Sequence, residues 1–165
     1  ASLIIEGSQL ELKPGKTATL TAGDVSIAGT AERRATLKAP GGTLRVEAVG
    51  AAGGAVLLDR SAAVPDSGTL TVERADLETS GDGGGLIAVR AGTATLTDAA
   101  LVTENRGPTD AAGGIDMAVA GFLDLDGSDL RADTVASGRS GVARVTVDGL
   151  LEILNGARIR PGSCA

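Results

Sequence analysis

Four aspartates between residues 123 and 133 are the side chains whose type and spacing could do chemistry. Asp124, Asp126, Asp129 and Asp133 lie in the segment LDLDGSDLRAD. A pair of carboxylates can cleave a glycosidic bond, and a group of carboxylates can bind Ca²⁺. The segment also alternates apolar and polar residues, as a strand does, so Asp124 and Asp126 would point outward from the same strand face. We predict that this face is a solvated surface.

Two functional alternatives remain for these aspartates. A calcium loop of the EF-hand type needs a bidentate Glu at its twelfth position, but the twelfth residue counted from Asp124 is Val135. A groove that cleaves sugars would carry aromatic side chains, but Phe122 is the only aromatic residue in the chain. We therefore predict that the protein is not an enzyme and has no catalytic, cofactor-binding or metal-binding residues.

Nucleophilic catalysis lacks its usual components. The sequence contains no His to serve as a base, and its single thiol, Cys164, is next to the last residue printed. One cysteine cannot form an internal disulfide, although an intermolecular disulfide remains open. The glycine-rich segment 80–85 precedes an alternating strand pattern, so we predict a turn there and not a phosphate loop. Arg33 and Arg34 are predicted to lie in a solvated loop.

A repeat of roughly 24 to 29 residues predicts the strands that would position these side chains. Leu101, Leu130 and Ile159 follow one another at intervals of 29, whereas Val119 and Val147 are 28 apart. Each copy contains short alternating runs separated by Gly, Asp or Asn, which is typical of strands. We predict that Val119 stacks on Val147, that Leu125 stacks on Ile153, and that a β-bulge absorbs the one-residue differences.

Length and composition agree with this architecture. The chain has 165 residues, a formal net charge of −6 and 1 % aromatic residues. A narrow lumen filled with Val, Ile, Leu and Ala needs no aromatic side chains, and an acidic surface repels nucleic acid. We predict an all-β fold, a right-handed parallel β-helix of about six or seven turns that forms a single domain over residues 1–165. Its protruding loops would be residues 30–35, 61–67, 103–112 and 133–140.

Three segments carry a resemblance to a known family. Residues 23–29 (GDVSIAG), 35–50 (ATLKAPGGTLRVEAVG) and 151–159 (LEILNGARI) resemble coils of filamentous haemagglutinin-like exoproteins of two-partner secretion systems. The resemblance spans nearly the whole chain, and Ala39-Pro-Gly-Gly42 is its most specific block. The Asn-Pro-Asn-Leu motif of the family's secretion domain is absent, which implies a shaft segment that follows that domain in a longer exoprotein.

The resemblance implies export through an outer-membrane transporter, with the protein secreted or displayed on the bacterial cell surface. The expected function is a non-enzymatic shaft that presents or supports a binding region of an adhesin. A polysaccharide- or receptor-binding module is the alternative, and a small polysaccharide lyase or hydrolase is a weaker one. The expected partners are the transporter, a receptor on a host or neighbouring cell, and a second copy of the chain that associates end to end.

Overall fold

The computed structural model describes residues 1–50, 68–160 and 162, and these residues form strands, turns and loops without a helix. The alternating residues Val56 and Leu58 also predict a strand, but they lie outside the described residues, as do the predicted loop 61–67 and Cys164. In chain order the strands are β1 (Ser2–Glu6), β2 (Gln9–Glu11), β3 (Thr17–Ala22), β4 (Asp24–Ala28), β5 (Ala35–Lys38), β6 (Thr43–Ala48), β7 (Thr69–Glu73), β8 (Ala75–Glu78), β9 (Leu86–Thr97), β10 (Ala100–Asn105), β11 (Gly114–Asp126), β12 (Asp129–Thr134), β13 (Val142–Val147), β14 (Leu150–Leu154) and β15 (Arg158–Arg160).

All strand pairs are parallel, and they stack into a β-solenoid with three faces. The first face is β1, β4, β7, the second half of β9, the second half of β11, and β14. The second face is β2, β5, β8, β10, β12 and β15. The third face is β3, β6, the first half of β9, the first half of β11, and β13. The strands make about five turns, close to the predicted six or seven, and confirm the parallel β-helix.

The lumen is filled by columns of aliphatic side chains that continue from turn to turn. One column on the first face runs through Ile27, Val72, Leu96 and Leu125, each of which is at most 1 % exposed. The predicted stacking is confirmed, because Val119 pairs with Val147 and Leu125 pairs with Ile153. Burying an aliphatic side chain in this way stabilises a fold by about 1.5–3 kcal/mol.

A β-bulge accounts for the change in repeat length from 28 to 29. In the pairing of β9 with β11 the register shifts between Val119 and Phe122, so that two residues of β11 face the single Gly92 of β9. This confirms the prediction of a bulge for the turn from β9 to β11. In the next turn the extra residue enters at the corner, because Asp126 pairs with Leu154 but Asp129 pairs with Arg158. The bulge lies where both long strands cross from the third face to the first.

The corner between the first and second faces is built from residues in the left-handed backbone region. Arg74, Asp98, Gly127 and Asn155 occupy this corner in four turns, with φ of 48°, 46°, 58° and 50°. The amide of each turn donates to a carbonyl of the next, as from Asp98 N to Asp126 O at 2.9 Å. The corner therefore extends the ladder of hydrogen bonds between the strands.

Replacing Gly127 with Ala is expected to lower the free energy of unfolding by about 1 kcal/mol, because a Cβ is strained in the left-handed region. Nothing lies within 4 Å of the position that a Cβ would occupy, so strain would be the cause of the loss and not a steric clash. Gly127→Asn should cost less, because Asn tolerates this region. Urea denaturation of both variants tests this, and equal losses would contradict it.

Candidate functional site

The four aspartates do not form one site. Asp124 and Asp126 end β11 on the first face, whereas Asp129 and Asp133 lie on β12 on the second face. The chain bends at Gly127 and Ser128, and the buried Ser128 hydroxyl fixes this bend by donating to Leu96 O at 2.9 Å. The prediction that Asp124 and Asp126 share one outward face is confirmed. Asp129 and Asp133 face a different side of the solenoid.

Three of the aspartates have basic or amide partners in their own or an adjacent turn. Asp126 Oδ1 accepts a hydrogen bond from Asn155 Nδ2 at 2.5 Å. Asp129 forms a bidentate pair with Arg160, with N–O distances of 3.1 and 2.8 Å. Asp133 lies 3.4 Å from Arg131. Asp124 Oδ1 is buried without a hydrogen-bond partner among the described residues, and Asp124 pairs in register with Thr95 and Glu152.

Within the described ranges, no group of three or more His, Cys, Asp or Glu side chains has the geometry to hold a metal ion. Excess EDTA is therefore expected to leave the melting temperature unchanged. A native calcium site would raise that temperature, because ligand binding to the folded state stabilises it by mass action. A thermal melt with EDTA and then with added Ca²⁺ tests this. A loss of several degrees that Ca²⁺ restores would contradict the expectation.

The solenoid sorts charges that are interspersed along the sequence. The described first-face strands contain no Lys or Arg, and their acidic residues are Glu6, Asp24, Glu73, Asp124, Asp126 and Glu152. Between these carboxylates lie hydroxyl groups, among which Thr69 pairs with Thr93 and Thr71 pairs with Thr95. The first face is thus an acidic surface with a central block of threonines. Sequence analysis missed this feature.

The second face carries ion pairs that link successive turns. Glu78 lies 3.4 Å from Lys38 of the preceding turn and 3.1 Å from Arg106 of the following one. Arg106 also donates to Glu104 at 2.8 Å. This hydrogen bond is the main reason that the pKa of Arg106 lies above its ordinary value, and burial partly opposes the rise. Each charged side chain is partly solvated, so any single pair contributes little to stability.

Arg34 links three turns. The prediction that Arg33 and Arg34 lie in a solvated loop therefore describes Arg33 but not Arg34. Arg33 is exposed, as predicted, but the Arg34 guanidinium forms a bidentate pair with Asp76, with Nε–Oδ2 of 3.0 Å and Nη2–Oδ1 of 2.9 Å. It also donates to Asp98 Oδ2 at 2.9 Å. The hydrogen bond to Asp76 is the largest cause that raises the pKa of Arg34, and burial partly opposes it. Pairing between turns brings Asp76 and Asp98 to the arginine.

Arg34→Ala is expected to lower the free energy of unfolding by about 1 kcal/mol, because the bidentate geometry is favourable but the side chain is 37 % exposed. Arg33→Ala is the matched control and should change it by less than about 0.5 kcal/mol. Because salt screens exposed pairs, the difference between the two variants should shrink in 1 M salt. Equal effects of the two substitutions in chemical denaturation would show that the ion pairs of Arg34 with Asp76 and Asp98 do not stabilise the fold.

Asn105 joins the loops at the corner between the second and third faces. It is fully buried, and its Oδ1 accepts from Gly83 N at 3.0 Å and Gly107 N at 3.1 Å. Its Nδ2 donates to Thr109 O at 2.6 Å and to Arg139 O at 2.9 Å. All four hydrogen-bonding positions of the amide are thus used. No motif pointed to this residue, although an Asn that ends an alternating strand two residues before a Gly is a weak corner signal.

The glycine-rich segment and two of the predicted loops, 103–112 and 133–140, lie at this same corner, whereas predicted loop 30–35 lies between the first and second faces. Residues 79–85 form the predicted turn between β8 and β9, and the Ser80 hydroxyl accepts a hydrogen bond from Glu104 N at 3.1 Å. Predicted loop 30–35 ends one residue earlier, because Ala35 begins β5. The other two loops begin later than predicted, because residues 103–105 complete β10 and residues 133–134 complete β12. The loops therefore protrude less than the sequence suggested.

Comparison with known proteins found no match among family models, curated proteins or solved structures. The described residues include no helix of the length and apolar character that crossing a membrane requires.

Proposed function

We propose that this chain is the non-enzymatic β-helical shaft of a secreted or surface-displayed exoprotein of the haemagglutinin/adhesin type, and that it supports a binding region. The observation that carries the proposal is the continuous parallel pairing through successive turns on all three faces. The residues that resemble haemagglutinin-like coils support the same assignment. On this proposal the protein leaves the cell through an outer-membrane transporter.

The contacts of the solenoid run along its axis and make it stiff in that direction. Every strand between the two end turns bonds to a strand on each side, and the aliphatic columns pack along the same axis. Five steps of about 4.8 Å give a rod about 24 Å long. Bending this rod would open backbone hydrogen bonds and separate close-packed side chains, both of which are unfavourable. Such a rod suits the task of holding another segment at a distance.

Surface labelling of the source cells tests the proposal. Antibodies raised against the folded chain are expected to label intact cells or to detect the protein in the medium. Deletion of the cognate outer-membrane transporter should abolish the signal, and a cytoplasmic protein probed in the same samples is the control for lysis. Labelling that requires permeabilised cells would overturn the proposed localisation. Hydrolysis or elimination of acidic polysaccharides in a reducing-sugar assay would overturn the non-enzymatic assignment.

A second candidate function, a polysaccharide- or receptor-binding module, is supported by the first face. Its threonine block lies on neighbouring strands in register, where hydroxyl groups are about 4.8 Å apart across the strands. Hydroxyl groups flanked by carboxylates can donate and accept hydrogen bonds with sugar hydroxyls. A glycan array with the folded chain separates the functions, because a passive shaft binds no glycan. Binding that the Thr71→Val/Thr95→Val variant loses would favour the second candidate.

A further inference from the structure

Two threonines in the middle turns of the solenoid bury hydroxyl groups that have no partner in the protein. Thr79 is 0 % exposed and Thr103 is 2 % exposed, and neither Oγ1 atom forms a hydrogen bond with any described residue. The other buried polar side chains of the described residues all form hydrogen bonds, and they are Glu47, Ser80, Asn105 and Ser128. Burying a hydroxyl group without a partner is unfavourable, and native proteins rarely do so. The two threonines therefore indicate a partner that is not a protein group.

The two threonines face the lumen in the same column of adjacent turns. The pairing of β8 with β10 sets Leu77 beside Leu101, and the next inward residues along the two strands are Thr79 and Thr103. The hydrogen bond from Thr79 N to Val102 O, at 2.9 Å, continues this register beyond the end of β8. Residues in register on neighbouring parallel strands are about 4.8 Å apart. The two hydroxyl groups are therefore held one turn apart by the backbone ladder.

Alanines flank this pair along the column. Thr103 pairs with Ala132 of the following turn, and the hydrogen bond from Ala39 N to Glu78 O sets Ala39 beside Thr79 in the preceding turn. A methyl side chain fills less of the lumen than the Leu side chains of the neighbouring column do. The four residues of the Thr79 column carry no charge, so they offer nothing to compensate an ion. Two hydroxyl groups between two methyl groups suit a small neutral molecule that both donates and accepts hydrogen bonds.

We infer that a buried water molecule binds in the lumen and bridges Thr79 Oγ1 and Thr103 Oγ1. Buried water occupies polar sites at which two or more protein groups hydrogen-bond to it. Two hydrogen bonds of about 2.8 Å that meet at a tetrahedral angle span about 4.6 Å, which matches the spacing of adjacent turns. The bridge would fix the register of these two turns next to the corner that Asn105 holds. The proposed shaft requires no internal water, so failure of this inference would leave that proposal intact.

The wild-type chain provides the first part of the test. In a high-resolution crystal structure, an ordered solvent oxygen is expected about 2.8 Å from both Oγ1 atoms. In solution, nuclear Overhauser effects are expected between water and the methyl protons of Thr79 and Thr103, with the sign that a long-lived bound water gives. A lumen without this solvent oxygen, or the absence of these nuclear Overhauser effects, would overturn the inference.

Valine substitutions are the second part of the test, because Val replaces the hydroxyl with a methyl group of nearly the same size. Thr79→Val and Thr103→Val each remove one partner of the water and should each lower the midpoint of urea denaturation. The double variant should lose less than the sum of the two single losses, because it leaves no polar side chain in the column to be satisfied. Circular dichroism verifies that each variant is folded.

Thr36→Val is the matched control, since it makes the same change at an outward, partly exposed position of the second face. It should shift the midpoint by less than either lumen variant. Single lumen variants that raise the midpoint would show that the hydroxyl groups are buried dry, and losses that simply add would show that the two threonines share no water. Either result would overturn the bridge, and the measurements on the wild-type chain do not depend on these variants.

Discussion

Leu125→Asp is expected to abolish folding. Leu125 has no exposed surface and packs in a column of aliphatic side chains, where no group is available to pair with a carboxylate. An ionised carboxylate in such a site costs on the order of 5 kcal/mol or more, which is comparable to the whole stability of a domain. The expected observation is the loss of the β-sheet circular dichroism signal and of a cooperative thermal transition.

Two control variants separate the effect of charge from other causes. Leu125→Ala removes the same packing without adding charge and should cost about 2–5 kcal/mol, so this variant should still fold if the starting stability is higher. Asp126→Ala changes the next outward residue and should cost less than about 0.5 kcal/mol, because its bond to Asn155 is exposed. Equal tolerance of Leu125→Asp and Asp126→Ala would show that the assignment of inward and outward residues is wrong.

Asn105→Ala is expected to lower the free energy of unfolding by about 3–5 kcal/mol. The substitution leaves two backbone amides and two backbone carbonyls without the partner that Asn105 supplies. Each buried polar group left unpaired costs about 1–3 kcal/mol, and water that enters the corner would recover part of this. The loss should appear in urea denaturation as a lower midpoint.

Gln9→Ala is the matched control for Asn105, since it removes an exposed carboxamide from a strand of the same face. It should change the free energy of unfolding by less than about 0.5 kcal/mol. Hydrogen exchange gives a second measurement, because Asn105→Ala should speed exchange at the Gly83 and Gly107 amides. If Asn105→Ala were as mild as Gln9→Ala, the corner would be held by its backbone bonds alone.

Much of the fold could be predicted from the sequence because its signals are local. Alternation of apolar and polar residues identified the strands, and offsets of 28 and 29 residues identified the partners of Val119 and Leu130. The loop limits were less accurate, because the polar residues of Thr103–Asn105 look like a loop but continue the pairing of β10 with β12. Pairing with a neighbouring turn overrides composition at such positions.

The candidate site could be predicted only in part. The outward direction of Asp124 and Asp126 followed from the inward Leu123 and Leu125, and the structure confirms it. The division of the four aspartates between two faces did not follow, because it depends on the bend at Gly127 and Ser128. An aspartate-rich segment reads as one cluster in the sequence, although a solenoid corner turns its two halves in different directions.

The sequence by itself determined that the chain forms parallel strands around an aliphatic lumen, since the repeat and the alternation allow no other way to bury its apolar residues. Only the tertiary structure decided which outward side chains become neighbours. Arg34 meets Asp76 and Asp98, which lie 42 and 64 residues further along the chain, and Asn105 reaches Arg139 over 34 residues. The physical reason is that the turns differ in length, from 22 residues between Leu3 and Val25 to 45 between Val25 and Leu70. Packing in the lumen sets the register between turns, and the register decides which surface charges meet.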